Sequence, residues 1–203
     1  MRFDKYVEAM ALCVAIGSAH ASMTTFTFRG TVIDGFADAG QTITGYLSID
    51  LSQLGAISCG GNTCAYGTQE FNQPYTNPPP VSWNATDGTI NFKAGENPSS
   101  LSSFAEVVNR PGIVSEYFLQ GSSSDGSFIS LVTSLTNDAN SIFTGNSLAF
   151  DQAVNWFADG TNAYGEVRNG ISGREAFTLQ SVTVENGDSS ITYSVIPFSV
   201  PEP

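Results

Sequence analysis

Few side chains in this sequence can do chemistry, and they are unevenly placed. His20 is the only histidine, the cysteines are Cys13, Cys59 and Cys64, and acids outnumber bases 19 to 7. A Ser-His-Asp or Cys-His nucleophile would therefore depend on His20 alone. The enzymatic option that remains is a carboxylate pair acting on a glycosidic bond. Glu70, Glu106, Glu116, Asp151, Glu166 and Glu175 are available for it, and no spacing singles out two that meet. Oxygen ligands for calcium occur in two loops, Asp159-Gly160-Thr161-Asn162 and Asn137-Asp138-Ala139-Asn140. Neither has EF-hand spacing, and Asp, Asn and Gly are equally the residues of ordinary turns. Calcium bound through Asp159, Asn162, Asp138 and Asn140 is thus set against no cofactor at all.

The N-terminus removes part of that inventory. Arg2 and Lys5 precede the apolar run Ala9 to Ile16, and Ala19-His20-Ala21 supplies a small-x-small cleavage pattern. The run is too short to span a bilayer. The reading is a Sec-type signal over 1–21, cleaved between Ala21 and Ser22, which takes His20 and Cys13 with it. No imidazole then remains for base catalysis, proton relay or metal ligation. Cys59 and Cys64, enclosing Gly60-Gly61-Asn62-Thr63, read in an exported protein as a structural disulfide. The sharper alternatives are a redox pair or half a zinc site, and two thiolates are few for zinc.

Composition narrows the partners. Losing Arg2, Lys5, Asp4 and Glu8 with the signal leaves the net charge at −12. That charge repels phosphate backbones and anionic lipid and tolerates cations and neutral glycans, so nucleic acid is excluded as a partner. Charged residues are only 13% and hydrophobic ones 41%, with 14 phenylalanines. This is a globular chain of one domain with a polar, largely uncharged surface.

The elements that must position any site are strands. Phe26, Phe28 and Val32 alternate with Thr25, Thr27, Arg29 and Thr31, and Leu47 and Ile49 alternate with Tyr46 and Ser48, which predicts a hairpin. Asp87-Gly88 predicts a two-residue type I′ turn pairing Ala85 with Ile90 and Trp83 with Phe92. A hairpin around Asn186 to Ser189 pairs Val184 with Ile191 and Val182 with Tyr193. Continued, it pairs Leu179 with Ile196 and Phe177 with Phe198, on the opposite face. A ribbon that bends and buries first one face, then the other, would account for that change of phase. Strands are also expected over 113–120 and 127–135. Leu101, Phe104, Val107 and Val108 have helical spacing, so that segment is either a short helix or an edge strand. Asp151 to Asp159 is equally open. The expectation is an all-β fold: a single antiparallel β-sandwich over 22–199, jelly-roll-like, with at most one or two short helices.

Val200-Pro201-Glu202-Pro203 follows the last strand directly. Together with the export signal, it resembles the start of the sorting tail of PEP-CTERM proteins. That family is exported by Gram-negative bacteria and processed by an exosortase. Its tripeptide precedes an apolar transmembrane segment and an Arg-rich end, so membrane contact is expected only through a segment beyond Pro203. The resemblance implies exosortase-type machinery and exopolysaccharide as partners, at the cell envelope, the cell surface or the extracellular matrix. The functional expectation is a non-enzymatic surface or matrix protein. The alternatives are a carbohydrate-binding module, with Tyr46 and Trp156 as its stacking platform, and a carboxylate-dependent glycoside hydrolase.

Overall fold

The structure is a computed structural model. It describes residues 23–35, 39–51, 54–60, 63–67, 81–93, 101–110, 112–136, 156–158, 160–170, 173–187 and 189–195. The expected signal (1–21, with the junction Ala21/Ser22) and sorting motif (Val200 to Pro203) lie outside these residues, as do Asp138, Asn140 and Asp159.

Twelve strands are described: β1 (Thr24–Gly35), β2 (Thr42–Ile49), β3 (Gly55–Gly60), β4 (Thr63–Gly67), β5 (Val81–Thr86), β6 (Asn91–Lys93), β7 (Leu101–Arg110), β8 (Val114–Ser123), β9 (Phe128–Thr136), β10 (Thr161–Asn169), β11 (Gly173–Asn186) and β12 (Ser189–Ser194). They form one sheet, in the order β3-β4-β7-β8-β9-β10-β11-β1-β2-β5-β6, with β12 beside β11. Each pairing is antiparallel. From β7 to β11 the chain runs as a meander. β1 then inserts between β11 and β2, and the β3–β4 hairpin lies at the far edge beside β7.

The sheet curls so that its inner face closes on itself. A methyl group added at Gly121 of β8 would lie 2.9 Å from Val81 Cγ2 and 3.0 Å from Leu47 Cδ1. Strands far apart in the ladder therefore face each other, giving the all-β, sandwich-like architecture. Phe26, Phe28, Leu47, Trp83, Leu119, Leu131 and Phe177 fill the interior. Trp156 bridges the layers edge-on, 6.3 Å from Phe26 and 6.2 Å from Tyr117.

Three local readings change. The segment from Leu101 is neither a helix nor an edge: β7 is an interior strand between β4 and β8. Leu101, Ser103, Ala105 and Val107 point inward and are buried. The apolar Phe104 and Val108 that imitated a helical period point outward.

The second change is the turn at Asp87, which is wider than two residues. Thr86 pairs with Asn91 and Ala85 with Phe92. Asp87 Oδ1 accepts the backbone N–H groups of Thr89 and Ile90, both at 2.6 Å, and Thr86 Oγ1 donates to Ile90 O at 2.8 Å. These bonds satisfy a four-residue loop that the dipeptide alone does not indicate. The register moves by two residues, so each side chain keeps its expected face.

Third, the phase change in β11 is a bulge. Arg29 pairs with Ser181 but Gly30 with Leu179, leaving Gln180 as the extra residue. One added residue reverses the alternation, so Phe177, Leu179, Val182 and Val184 all enter the same core. No second face is buried. The β11–β12 register is as expected, with Val184 opposite Ile191 and Val182 opposite Tyr193. It stops near the bulge, where Val195 N donates to Gln180 O at 2.9 Å.

The expected continuation, Leu179 with Ile196 and Phe177 with Phe198, falls on residues 196 and 198, which lie outside the described ones; Phe177 is paired by Val32 and Gly165.

Candidate functional sites on the outer sheet face

Among the described residues the inner face is filled by the core, and the side chains that alternate with it face outward. Three grooves lined by described residues open there; one lies around Asn162 and Val195, and the other two differ in chemistry.

The first crosses β11, β1, β2 and β5 and encloses about 720 Å³. Register builds its rows: Thr183, Thr27, Tyr46 and Asn84 stand side by side across four strands, and Ser181, Arg29 and Thr44 form the next row. Thr25 and Ser48 hydroxyls are bonded at 2.9 Å. Tyr46 is 38% exposed, and Phe28 and Gly45 also line the groove. Among the described lining residues Arg29 is the only charge, so this face offers hydroxyls, one aromatic ring and one guanidinium.

The second groove, about 600 Å³, crosses β7 to β11. Glu106, Phe118, Val132 and Tyr164 form one row, and Phe104, Gln120, Ser130 and Glu166 the next. The Phe104 and Phe118 rings meet edge-on with centroids 5.8 Å apart. Glu116 stands opposite Val108, one diagonal step from Glu106, a separation of roughly 7–8 Å on an antiparallel sheet. Burial, then the charge of Glu106, raises the Glu116 pKa. Burial, then the charge of Glu116, raises that of Tyr164. Glu166 is already paired: Arg174 Nε donates to its Oε1 at 2.8 Å and Nη2 to Oε2 at 3.0 Å, and Arg174 also reaches Asp34 at 3.4 Å.

The expected site residues divide accordingly. Tyr46 is on the surface, as a stacking residue must be. Trp156 is wholly buried, so the platform of Tyr46 with Trp156 is not formed. Its ring is consumed by the inter-layer contacts with Phe26 and Tyr117. Asn162 is an exposed residue of β10 opposite Ser134, and the described residues contain no group of three or more His, Cys, Asp or Glu able to hold a metal. Cys59 and Cys64 are directly opposed across β3 and β4.

Of the six candidate carboxylates, the fold gathers Glu106, Glu116 and Glu166 in the second groove. Glu175 is fully buried and hydrogen-bonds Asp87. Glu70 and Asp151 lie outside the described residues. Missing from the sequence reading were Phe104, Phe118, Tyr164 and Ser130 as groove residues. For the three aromatic residues the signal was available as large rings at outward positions of the strands; Ser130 carried none.

Comparison with known proteins finds no matching family model, no matching curated protein and no matching solved structure.

Proposed function

We propose that this is an exported, non-enzymatic protein of the cell surface or extracellular matrix that holds polysaccharide on the hydroxyl-lined groove around Tyr46. One observation carries the reading: an exposed aromatic ring set among Thr25, Thr27, Thr44, Ser48 and Thr183, with Arg29 as the sole lining charge. A tyrosine face packs on the apolar face of a sugar ring while neighbouring hydroxyls exchange hydrogen bonds with its hydroxyls. The signal-like N-terminus and the PEP-CTERM-like Val200-Pro201-Glu202-Pro203 agree with an exopolysaccharide setting.

The test is co-sedimentation with purified exopolysaccharide. Tyr46→Ala should reduce the bound fraction at least tenfold and Arg29→Gln should weaken binding to acidic polysaccharide only. Undiminished binding by Tyr46→Ala would overturn the reading.

A carboxylate-dependent hydrolase is the second reading, favoured by the neighbouring Glu106 and Glu116, one of them with a raised pKa. It requires release of reducing ends from exopolysaccharide, abolished by Glu116→Gln. Without that release it fails.

A further inference from the structure

The second groove is unlike the first in charge, and we infer that it is a binding site for a primary ammonium group carried on a ring, the chemistry of an amino sugar. The inference uses none of the residues of the Tyr46 groove and stands or falls separately.

Charge gives the first reason. Glu106 and Glu116 lie one diagonal step apart on adjacent strands, and among the described lining residues the only cation is Arg174. Its guanidinium is committed to Glu166 through two bonds and to Asp34 through a third. Among the described residues neither Glu106 nor Glu116 has an ion pair, in a chain of net charge −12; another base on this face, Arg110, stands opposite Val114, one diagonal step from Glu116. Burial first, then the charge of Glu106, raises the Glu116 pKa, and a cation entering the groove relieves the second of these.

Shape and lining decide what kind of cation. Phe104 and Phe118 present an edge-to-face aromatic wall beside the carboxylates, and Tyr164 lies in the same row as Glu106 and Phe118. Calcium prefers six to eight oxygen ligands, whereas aromatic faces attract organic ammonium ions and pack on the ring that carries them.

A buried hydroxyl gives the second, independent reason. Ser130 is only 7% exposed. Its neighbours Ile129 and Leu131 point into the core, so its side chain faces the groove, which it lines between Gln120 and Glu166. It makes no hydrogen bond to any described residue. The hydroxyl opens only onto the groove, so its partner has to come from there, and a sugar hydroxyl supplies both donor and acceptor.

The experiment is isothermal titration of the full chain with a glucosamine oligosaccharide and with its fully N-acetylated counterpart. The amine form should bind at least tenfold more tightly. Glu116→Gln and Glu106→Gln should each weaken it tenfold or more with circular dichroism unchanged. Glu185→Gln, an exposed acid of β11 outside the groove, should leave it within twofold. Affinity should also fall as Glu116 is protonated. The other charged or titratable groups lining the groove or one diagonal step from Glu116 are Glu106 and Arg110 on β7, Tyr164 and Glu166 on β10, and Arg174 on β11. Equal affinity for the two oligosaccharides would overturn the proposal. So would a loss of the same size in Glu185→Gln, which would indicate diffuse attraction by net charge. So would calcium ion binding that depends on Glu116 where the amine does not bind.

Discussion

The rings of Phe28 and Phe177 stack in the core with centroids 5.2 Å apart and planes 9° from parallel. Each lies opposite a glycine on the neighbouring strand, Phe28 against Gly45 and Phe177 against Gly165. Each glycine leaves room for the ring that crosses it. A methyl group at Gly165 would lie 2.6 Å from Phe177 Cε2, and one at Gly45 would lie 2.8 Å from Phe28 Cζ.

Gly165→Ala should therefore destabilise the fold by about 1–3 kcal/mol through overpacking. Gly40→Ala, where an added Cβ meets nothing within 4 Å, serves as a contrast governed by backbone conformation alone. Phe177→Ala should cost about 3–5 kcal/mol, because it opens a cavity and unstacks Phe28. Urea unfolding followed by tryptophan fluorescence measures all three. A Gly165→Ala protein as stable as the parent would show that the stack can slide aside.

The Asp87 turn carries a pH signature. Burial pushes the carboxyl upward, but the N–H groups of Ile90 and Thr89 and the hydrogen bond from Glu175 outweigh it, so its pKa lies below the ordinary 3.8. A carboxylate favoured by folding contributes stability above the unfolded pKa and loses it as pH falls through the folded value. Asp87→Ala should thus lower the melting temperature at neutral pH, and the gap should close below pH 3.8. Two carboxyl groups hydrogen-bond each other only with a proton between them, and Glu175 is the buried partner. Glu175→Gln supplies a permanent donor to Asp87 and should be tolerated far better than Glu175→Ala. Thermal melts across an acid series measure both comparisons.

Cys59 and Cys64 are opposed across β3 and β4. Directly opposed antiparallel residues have Cα atoms roughly 4.5–5.5 Å apart, inside the range a disulfide spans. In protein exported to an oxidising compartment, both should resist alkylation under denaturing conditions until a reductant is added. Replacing both with serine should cost about 2 kcal/mol, the chain-entropy value for so short a loop. Alkylation of both thiols without reductant would reject the disulfide.

Alternation alone located most of the inner face, because Phe26, Phe28, Leu47, Trp83, Val182 and Val184 each obey a period of two. The register of the last hairpin was also legible, since the alternative sets Glu185 against Asp188. Three things were not. Pairing of β1 with β11 joins segments at opposite ends of the chain, and no local pattern encodes it. The Asp87 loop depends on a side chain capping two amides, which a dipeptide rule does not see. Phe104 and Val108 broke the binary pattern of β7 and suggested a helix, because both are apolar residues at outward positions; Phe104 lines the second groove.

Glu116 offers the sharpest test of that groove without any ligand. Its carboxyl is disfavoured as an anion by burial and by the charge of Glu106, so its pKa is raised above 4.5. The sign follows from linkage: an acid that folding keeps protonated contributes stability in full below its unfolded pKa, and loses it as pH rises through the folded value. Glu116→Gln removes the penalty of the anion, so the variant should melt higher than the parent at pH 7, and the difference should shrink towards pH 4.5 and below. Glu106→Gln should bring the Glu116 titration, followed by carboxyl carbon NMR, down towards its ordinary value while leaving the burial contribution in place. A melting difference independent of pH would mean that the gain comes from packing of the amide. The two carboxylates would then not be coupled across β7 and β8.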